Sequence, residues 1–321
     1  MIKFWQKVHA ILTNGEKVFL ALVAENTKGS PGTPGAKLLI SESDEQFGTI
    51  GGGIMEYNLT EKAIMAFKKS IFKSEILKLN HKRSGDGERS GMICSGTQTN
   101  LYIVCYPEKI LPEIEQILQC LHDDRAGLLK IDPTQFSVIK QAFNPDQPKV
   151  SLVQNQEKWQ YLEQLLNEKR VAILGGGHCA RALYQTMKTL GYEVFIFDTR
   201  ENICRLENNE YACEIKIVGD YQRVGTMIQY PELTNVVVMT HDYPSDVRGL
   251  LGVIDLPVPY IGVMGTSVKI ANIYRGLQEH GIQRQRLETI HAPIGLSIES
   301  DTPEEIAISI AAQIIQIKNT V

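Results

Sequence analysis

Residues 171–180 read VAILGGGHCA, and no other stretch constrains the fold of this chain as strongly. VAIL is an apolar run of strand length, the three glycines make a turn, and HCARALYQTMKTLG has helical spacing closed by Gly191. YEVFIFD then reads as the next strand and ends in Asp198. Gly175-x-Gly177-x-x-Ala180 between a predicted strand and a helix, with an aspartate closing the following strand, is the fingerprint of a dinucleotide-type fold. The first glycine allows the tight turn, the second lets an anion approach the backbone, and Ala180 keeps the helix near the sheet. The bare amides of the helix start, where His178 comes first, suit an anion. Asp198 is expected to accept hydrogen bonds from a ribose diol, which favours NAD over NADP. The alternative is a turn that only joins strand to helix in a domain without a nucleotide.

NVVVMTHD and PYIGVMGT repeat the rhythm of apolar run, turn and helix expected of an open parallel sheet. Gly265 and Lys269 follow the last of these runs, where a phosphate would be met, although a solvated helix lysine serves the pattern equally. His241 and Asp242 are either an acid/base pair or a capped loop, with Ser245 or Asp246 expected to cap the next helix. In DTPEEIAISIAA, Thr302, Pro303 and Glu305 form a capping box.

The preceding half is less regular. An amphipathic first helix (MIKFWQKVHAIL), several strands and two helices come in mixed order, which implies α+β. Polar residues at 143–158 mark a boundary, giving domains 1–155 and 156–321. A second glycine run, Gly51, Gly52 and Gly53, ends an extended stretch before a helix whose first turn holds Glu56. It reads as an anion site or as a plain strand-to-helix turn. Cys94, in SGMICSGT, lies in a glycine-flanked loop close in sequence to His81, Lys82, Arg83 and Arg89. Positive charge and bare amides there would lower a thiol's pKa and make it a nucleophile or a soft-metal ligand.

Six cysteines without a CxxC pair suit a reducing cytoplasm rather than a disulfide framework. The net charge of -4 argues against nucleic-acid binding by bulk charge, and no apolar run is long enough to span a membrane.

In this order, VFLALVAENTKGSPGTPGAKLLI, FGTIGGGIMEYNLTEKA, GMICSG, VAILGGGHCARAL with FDTR, YIGVMGTSVK and APIGLSIESDTPEEIAISIAA resemble the xanthine dehydrogenase accessory protein family of XdhC/CoxI type. The resemblance implies a family-specific N-terminal domain and a C-terminal Rossmann-like parallel sheet with helices on both faces. It implies a chaperone that binds molybdenum cofactor (molybdopterin), aids its sulfuration and delivers it to a molybdenum hydroxylase apoenzyme. A cysteine desulfurase would be a second partner, and a homodimer is one of the states left open. The family's cofactor-binding cysteine falls at Cys94, with the glycines 51–53 as the family-specific ligand loop. The chain departs from the family pattern at Cys94-Ser95-Gly96, where one glycine is missing, and at GSPGTPGA and GTSVK, where arginines are missing. Two readings compete: an NAD(P)-dependent oxidoreductase with His241 or His178 as proton carrier, and a scaffold bridging desulfurase and hydroxylase.

Overall fold

The structure, a computed structural model, describes residues 1–68, 74–80, 88–89, 96–155, 158–201 and 215–319. It divides into two compact units, Met1–Leu166 and Asn167–Val321. This corrects the boundary expected at 155/156. The strand Lys158–Gln164 is hydrogen-bonded on both sides within the first unit, so the chain leaves that unit only after Leu166. Its polar sequence, KWQYLEQ, hides a strand that turns Tyr161 and Glu163 into the interior.

The first unit contains α1 (Ile2–Thr13), β1 (Val18–Asn26), β2 (Lys37–Ser41), β3 (Gln46–Thr49), α2 (Gly53–Phe67), β4 (Ser74–Asn80) and β5 (Glu88–Arg89). It continues with β6 (Thr97–Cys105), α3 (Pro107–His122), β7 (Gly127–Ile131), β8 (Phe136–Lys140), β9 (Val150–Asn155) and β10 (Lys158–Gln164). One sheet has the order β3-β2-β1-β6-β4-β5 and the other β8-β7-β10-β9. Successive strand residues alternate faces. Phe19, Ala21 and Val23 of β1 therefore join a core with Met55, Leu59 and Ala63 of α2. Leu20 and Leu22 join the opposite core with α1, α3 and the second sheet. Burial on both faces is why β1 reads as an unbroken apolar run.

The second unit contains β11 (Arg170–Leu174), α4 (His178–Thr189), β12 (Glu193–Asp198), β13 (Ile215–Ile217), β14 (Thr234–Val238), α5 (Tyr243–Val253) and β15 (Ile261–Val263). Then come α6 (Ser267–Glu279), α7 (Arg284–Leu287) and α8 (Pro303–Lys318). Its sheet is parallel throughout, in the order β13-β12-β11-β14-β15. Ala180, Leu183 and Met187 of α4 pack with Ile310 and Ile314 of α8 on one face. Val247 and Leu250 of α5 pack with Ile273 and Leu277 of α6 on the other. The expected Rossmann-like sheet with helices on both faces is therefore present. The chain passes from β11 to one side through β12 and to the other through β14, which makes their carboxyl ends the switch point where such sheets take ligands.

The late PIGL segment has an architectural role. His291 stacks on Tyr260 with ring centroids 4.8 Å apart. Gln313 Oε1 accepts from the Tyr260 hydroxyl (2.6 Å) and from Gly295 N (2.9 Å), which pins the segment to α8. The capping box of α8 forms as expected, with Glu305 N donating to Thr302 Oγ1 and Thr302 N donating back to Glu305.

Candidate functional site

In the first unit, segments far apart in sequence meet at one end of the six-stranded sheet. Gly51, Gly52 and Gly53 all have positive φ (131°, 76° and 65°), conformations that side-chain-bearing residues rarely adopt and do not adopt three in a row without strain. A Cβ on Gly51 would stand 2.8 Å from the Cβ of Pro31, so the 51–53 turn and the proline-glycine loop lie against each other. Gln98 joins them. Fully buried, it donates to Ile50 O (3.0 Å) and accepts from Gly32 N (3.0 Å) and the Ser30 hydroxyl (3.0 Å). A Cβ on Gly96 would lie 2.8 Å from Thr27 Oγ1, and Thr97 N donates to the same oxygen at 2.7 Å. Cys94 lies outside the described residues, as do His81, Lys82 and Arg83.

Glu56 closes this turn. Its Oε1 accepts from the Thr49 hydroxyl (2.7 Å), Ile50 N (2.8 Å) and Gly52 N (2.8 Å). The cradle of amides thus fits an anionic oxygen, and the chain's own carboxylate supplies one. A cleft of about 420 Å³ adjoins the junction and is lined by Glu25, Thr27, Lys78, Thr97 and Thr99. Its hydroxyls suit a polar ligand, with the exposed Lys78 ammonium and the Glu25 carboxylate both at its wall.

Sequence reasoning missed Gln98. The signal was present: Gln98, Asn100 and Tyr102 alternate along a strand whose second half is apolar and are buried, which a polar side chain is only with partners. Gln98→Leu strands Gly32 N and Ile50 O, and is expected to cost about 1–3 kcal/mol in urea unfolding for each group left unpaired.

In the second unit, Gly175 (φ 103°) sits so close to β14 that a Cβ would come 2.4 Å from Met239 O. Gly177 faces open space and begins α4 without a side-chain cap, leaving its amides and the exposed His178 at the switch point. Asp198 departs from the expected ribose acceptor. It is fully buried, and its carboxylate accepts from Gly176 N (2.7 Å), Arg200 N (2.8 Å), Arg200 Nε (2.9 Å) and Arg200 Nη2 (2.8 Å). Burial alone would push its pKa up, but these donors outweigh it and hold the carboxyl below the ordinary aspartate value.

Lys269 is also engaged rather than open to a phosphate. Its Nζ lies 2.5 Å from Oδ2 of the buried Asp246 and 3.2 Å from Met264 O, and its stem covers Gly265. Burial pushes the Asp246 carboxyl up, and Lys269 and Thr240 only partly offset this. Asp246 therefore braces the loop after β14. The cap of α5 is Asp242, which accepts from Ser245 N at 2.8 Å, rather than Ser245 or Asp246 as expected. The other Asp242 oxygen lies 3.0 Å from His241 Nε2, so the cap of α5 and the His241–Asp242 pair share one carboxylate. No cluster of three or more His, Cys, Asp or Glu able to hold a metal occurs among the described residues. Among them, too, no helix is long and apolar enough to cross a membrane.

Residues 171–314 match the family described as XdhC Rossmann domain, and residues 11–73 match the XdhC and CoxI family. A relative in Bacillus subtilis (strain 168), named as a probable subunit of xanthine dehydrogenase, is 23% identical over 341 residues, spanning 100% of this chain and 99% of that protein. "Uncharacterized protein YqeB" of Escherichia coli (strain K12) is 29% identical over 154 residues, which are 47% of this chain and 27% of that longer protein. A crystal structure described as a xanthine dehydrogenase from Bacillus halodurans shares the fold, with a TM-score of 0.75 at 22% identity, covering 99% of this chain and 96% of that one.

Proposed function

The chain belongs to the XdhC and CoxI family, which it matches in both of its units, and on that premise we propose that it is an accessory protein of a xanthine dehydrogenase-type molybdenum hydroxylase. In this reading it binds molybdenum cofactor and passes it to the hydroxylase apoenzyme in the cytoplasm, with no turnover of its own. A cysteine desulfurase is the proposed second partner, and a homodimer the proposed assembly. The name carried by the B. subtilis relative, which aligns over the full chain, supports the link to xanthine dehydrogenase.

The observation that carries the reading is the junction of residues 27–35, 49–56 and 96–98 beside the cleft. Three consecutive glycines at positive φ give up much chain entropy on folding, and the buried glutamine is spent on joining separate segments. A plain strand-to-helix turn requires neither. The donors there fit the anionic, hydrogen-bonding part of the cofactor, since the 50–52 amides already hold a carboxylate and Lys78 borders the cleft. When bound, the cofactor supplies the redox centre of the client enzyme. The chain's own part is to hold it: amides and hydroxyls orient its polar edge, Glu56 yields or shares the cradle, and Cys94 provides the thiolate.

Purified, reduced protein is expected to retain cofactor near-stoichiometrically through fast gel filtration, read by fluorescence of the oxidised pterin. Cys94→Ala is expected to lower retention about tenfold or more while leaving the melting temperature unchanged. Absence of retention by the unaltered protein would overturn the reading, and full retention by the variant would remove Cys94 from it.

A nucleotide at the 175–177 turn is a second reading, and the start of α4 favours it. The helix at the switch point has no side-chain cap and opens on unfilled space at Gly177.

A further inference from the structure

A dinucleotide site of the usual kind needs a free carboxylate at the end of its second strand, because a ribose diol presents hydrogen-bond donors. The structure offers the reverse at this position. Both oxygens of Asp198 are consumed, its side chain is fully buried, and the group facing outward is the Arg200 guanidinium, 44% exposed. A diol placed here could accept from the guanidinium, but its own hydroxyl protons would find no free carboxylate oxygen. To reach the carboxylate it would have to break a two-pronged ion pair and expose the support of the glycine turn.

From this we infer that the nucleotide taken by the 175–177 turn carries a phosphomonoester on its ribose, and that Arg200 binds that phosphate. Arg200 uses Nε and Nη2 on Asp198. Nη1 takes no part in that pair, and its two N–H groups are the ones that would meet phosphate oxygens. Asp198 neutralises part of the charge but lies behind the guanidinium, out of contact with solvent. The amide end of α4, to which the same carboxylate is tied through Gly176 N, adds positive potential for an anion on the open side. Asp198 is thus a positioning residue. It fixes the fork of Arg200 and joins it to the turn that would hold the 5′ phosphate.

This inference rests on the reading of the 175–177 turn as a nucleotide site, and is independent of what the first unit binds. The test is calorimetric titration of the full chain with adenosine 2′,5′-bisphosphate and with 5′-AMP. The bisphosphate is expected to bind about tenfold or more tightly than 5′-AMP. Arg200→Gln should bring the bisphosphate down to the level that the same variant shows for 5′-AMP. Arg200→Lys, which keeps a cation on Asp198 should the glutamine variant fail to fold, should lose most of the difference because an ammonium cannot bridge both groups as a fork. Equal affinity for the two ligands, or a preference that survives in the folded variants, overturns the phosphate assignment alone. If neither ligand binds, the nucleotide reading falls and the inference with it.

Discussion

Replacing Lys37 by methionine is expected to lower the stability of the first unit by about 3–5 kcal/mol, among the largest effects of any single substitution in the chain. Lys37 Nζ lies 2.5 Å from Glu163 Oε1, and the two side chains are 6% and 0% exposed. The Tyr161 hydroxyl donates to the other carboxylate oxygen at 2.9 Å, and Lys37 also donates to Gly35 O at 2.8 Å. Without the lysine, a carboxylate remains in the interior with one donor, and removal of one member of a buried pair costs far more than removal of both. Calorimetry should register a fall in melting temperature of roughly 6–20 °C for a unit of this size. The double replacement Lys37→Met with Glu163→Met should recover most of the loss. A single variant within about 1 kcal/mol of the parent would mean that Glu163 escapes to water or takes a proton. Because Lys37 also holds Gly35 O, the same variant should loosen the proline-glycine loop beside the proposed ligand cleft and weaken retention of the cofactor.

Gly175→Ala is expected to be nearly as damaging, and for a reason confined to the backbone. Its φ of 103° costs a side-chain-bearing residue about 1–3 kcal/mol. The added methyl would stand 2.4 Å from Met239 O and 2.9 Å from Thr240 Cα, neither of which is a flexible side-chain end. Overpacking of that kind adds about 1–3 kcal/mol. The relief available is separation of the β11 and β14 ends, which would open the switch point and abolish nucleotide binding there. Gly177→Ala is the control. It has ordinary φ and nothing within 4 Å, so urea unfolding should register about 1 kcal/mol or less. Equal losses in the two variants would contradict the close approach at Gly175.

Both effects depend on side chains or backbone atoms that no reading of neighbouring residues connects. Lys37 and Glu163 are 126 positions apart, and Glu163 lies in a strand so rich in Lys, Gln and Glu that it passes for a linker. The misplaced domain boundary and the unrecognised ion pair share this cause. An acidic residue is tolerated in an interior only where a partner from elsewhere meets it, so its burial is invisible until the fold is assembled. Asp198 illustrates the same division. Its place at the end of a strand after a glycine turn was legible from spacing, but whether its carboxylate is open to a ligand depended on the conformation of Arg200 and the position of Gly176 N.

What the sequence determined by itself was local or periodic. The apolar runs of β11 and β14, the helical spacing of α4, the left-handed glycines of both turns and the capping box at Thr302 each follow from a few adjacent residues whose backbone preferences agree. Only the tertiary structure decided how the polar groups are spent. It gave Gln98 to two loops, Glu56 to the 50–52 amides, Lys269 to Asp246 and Arg200 to Asp198. A buried donor or acceptor must find a partner within hydrogen-bond distance, and which one lies there is set by packing rather than by distance along the chain.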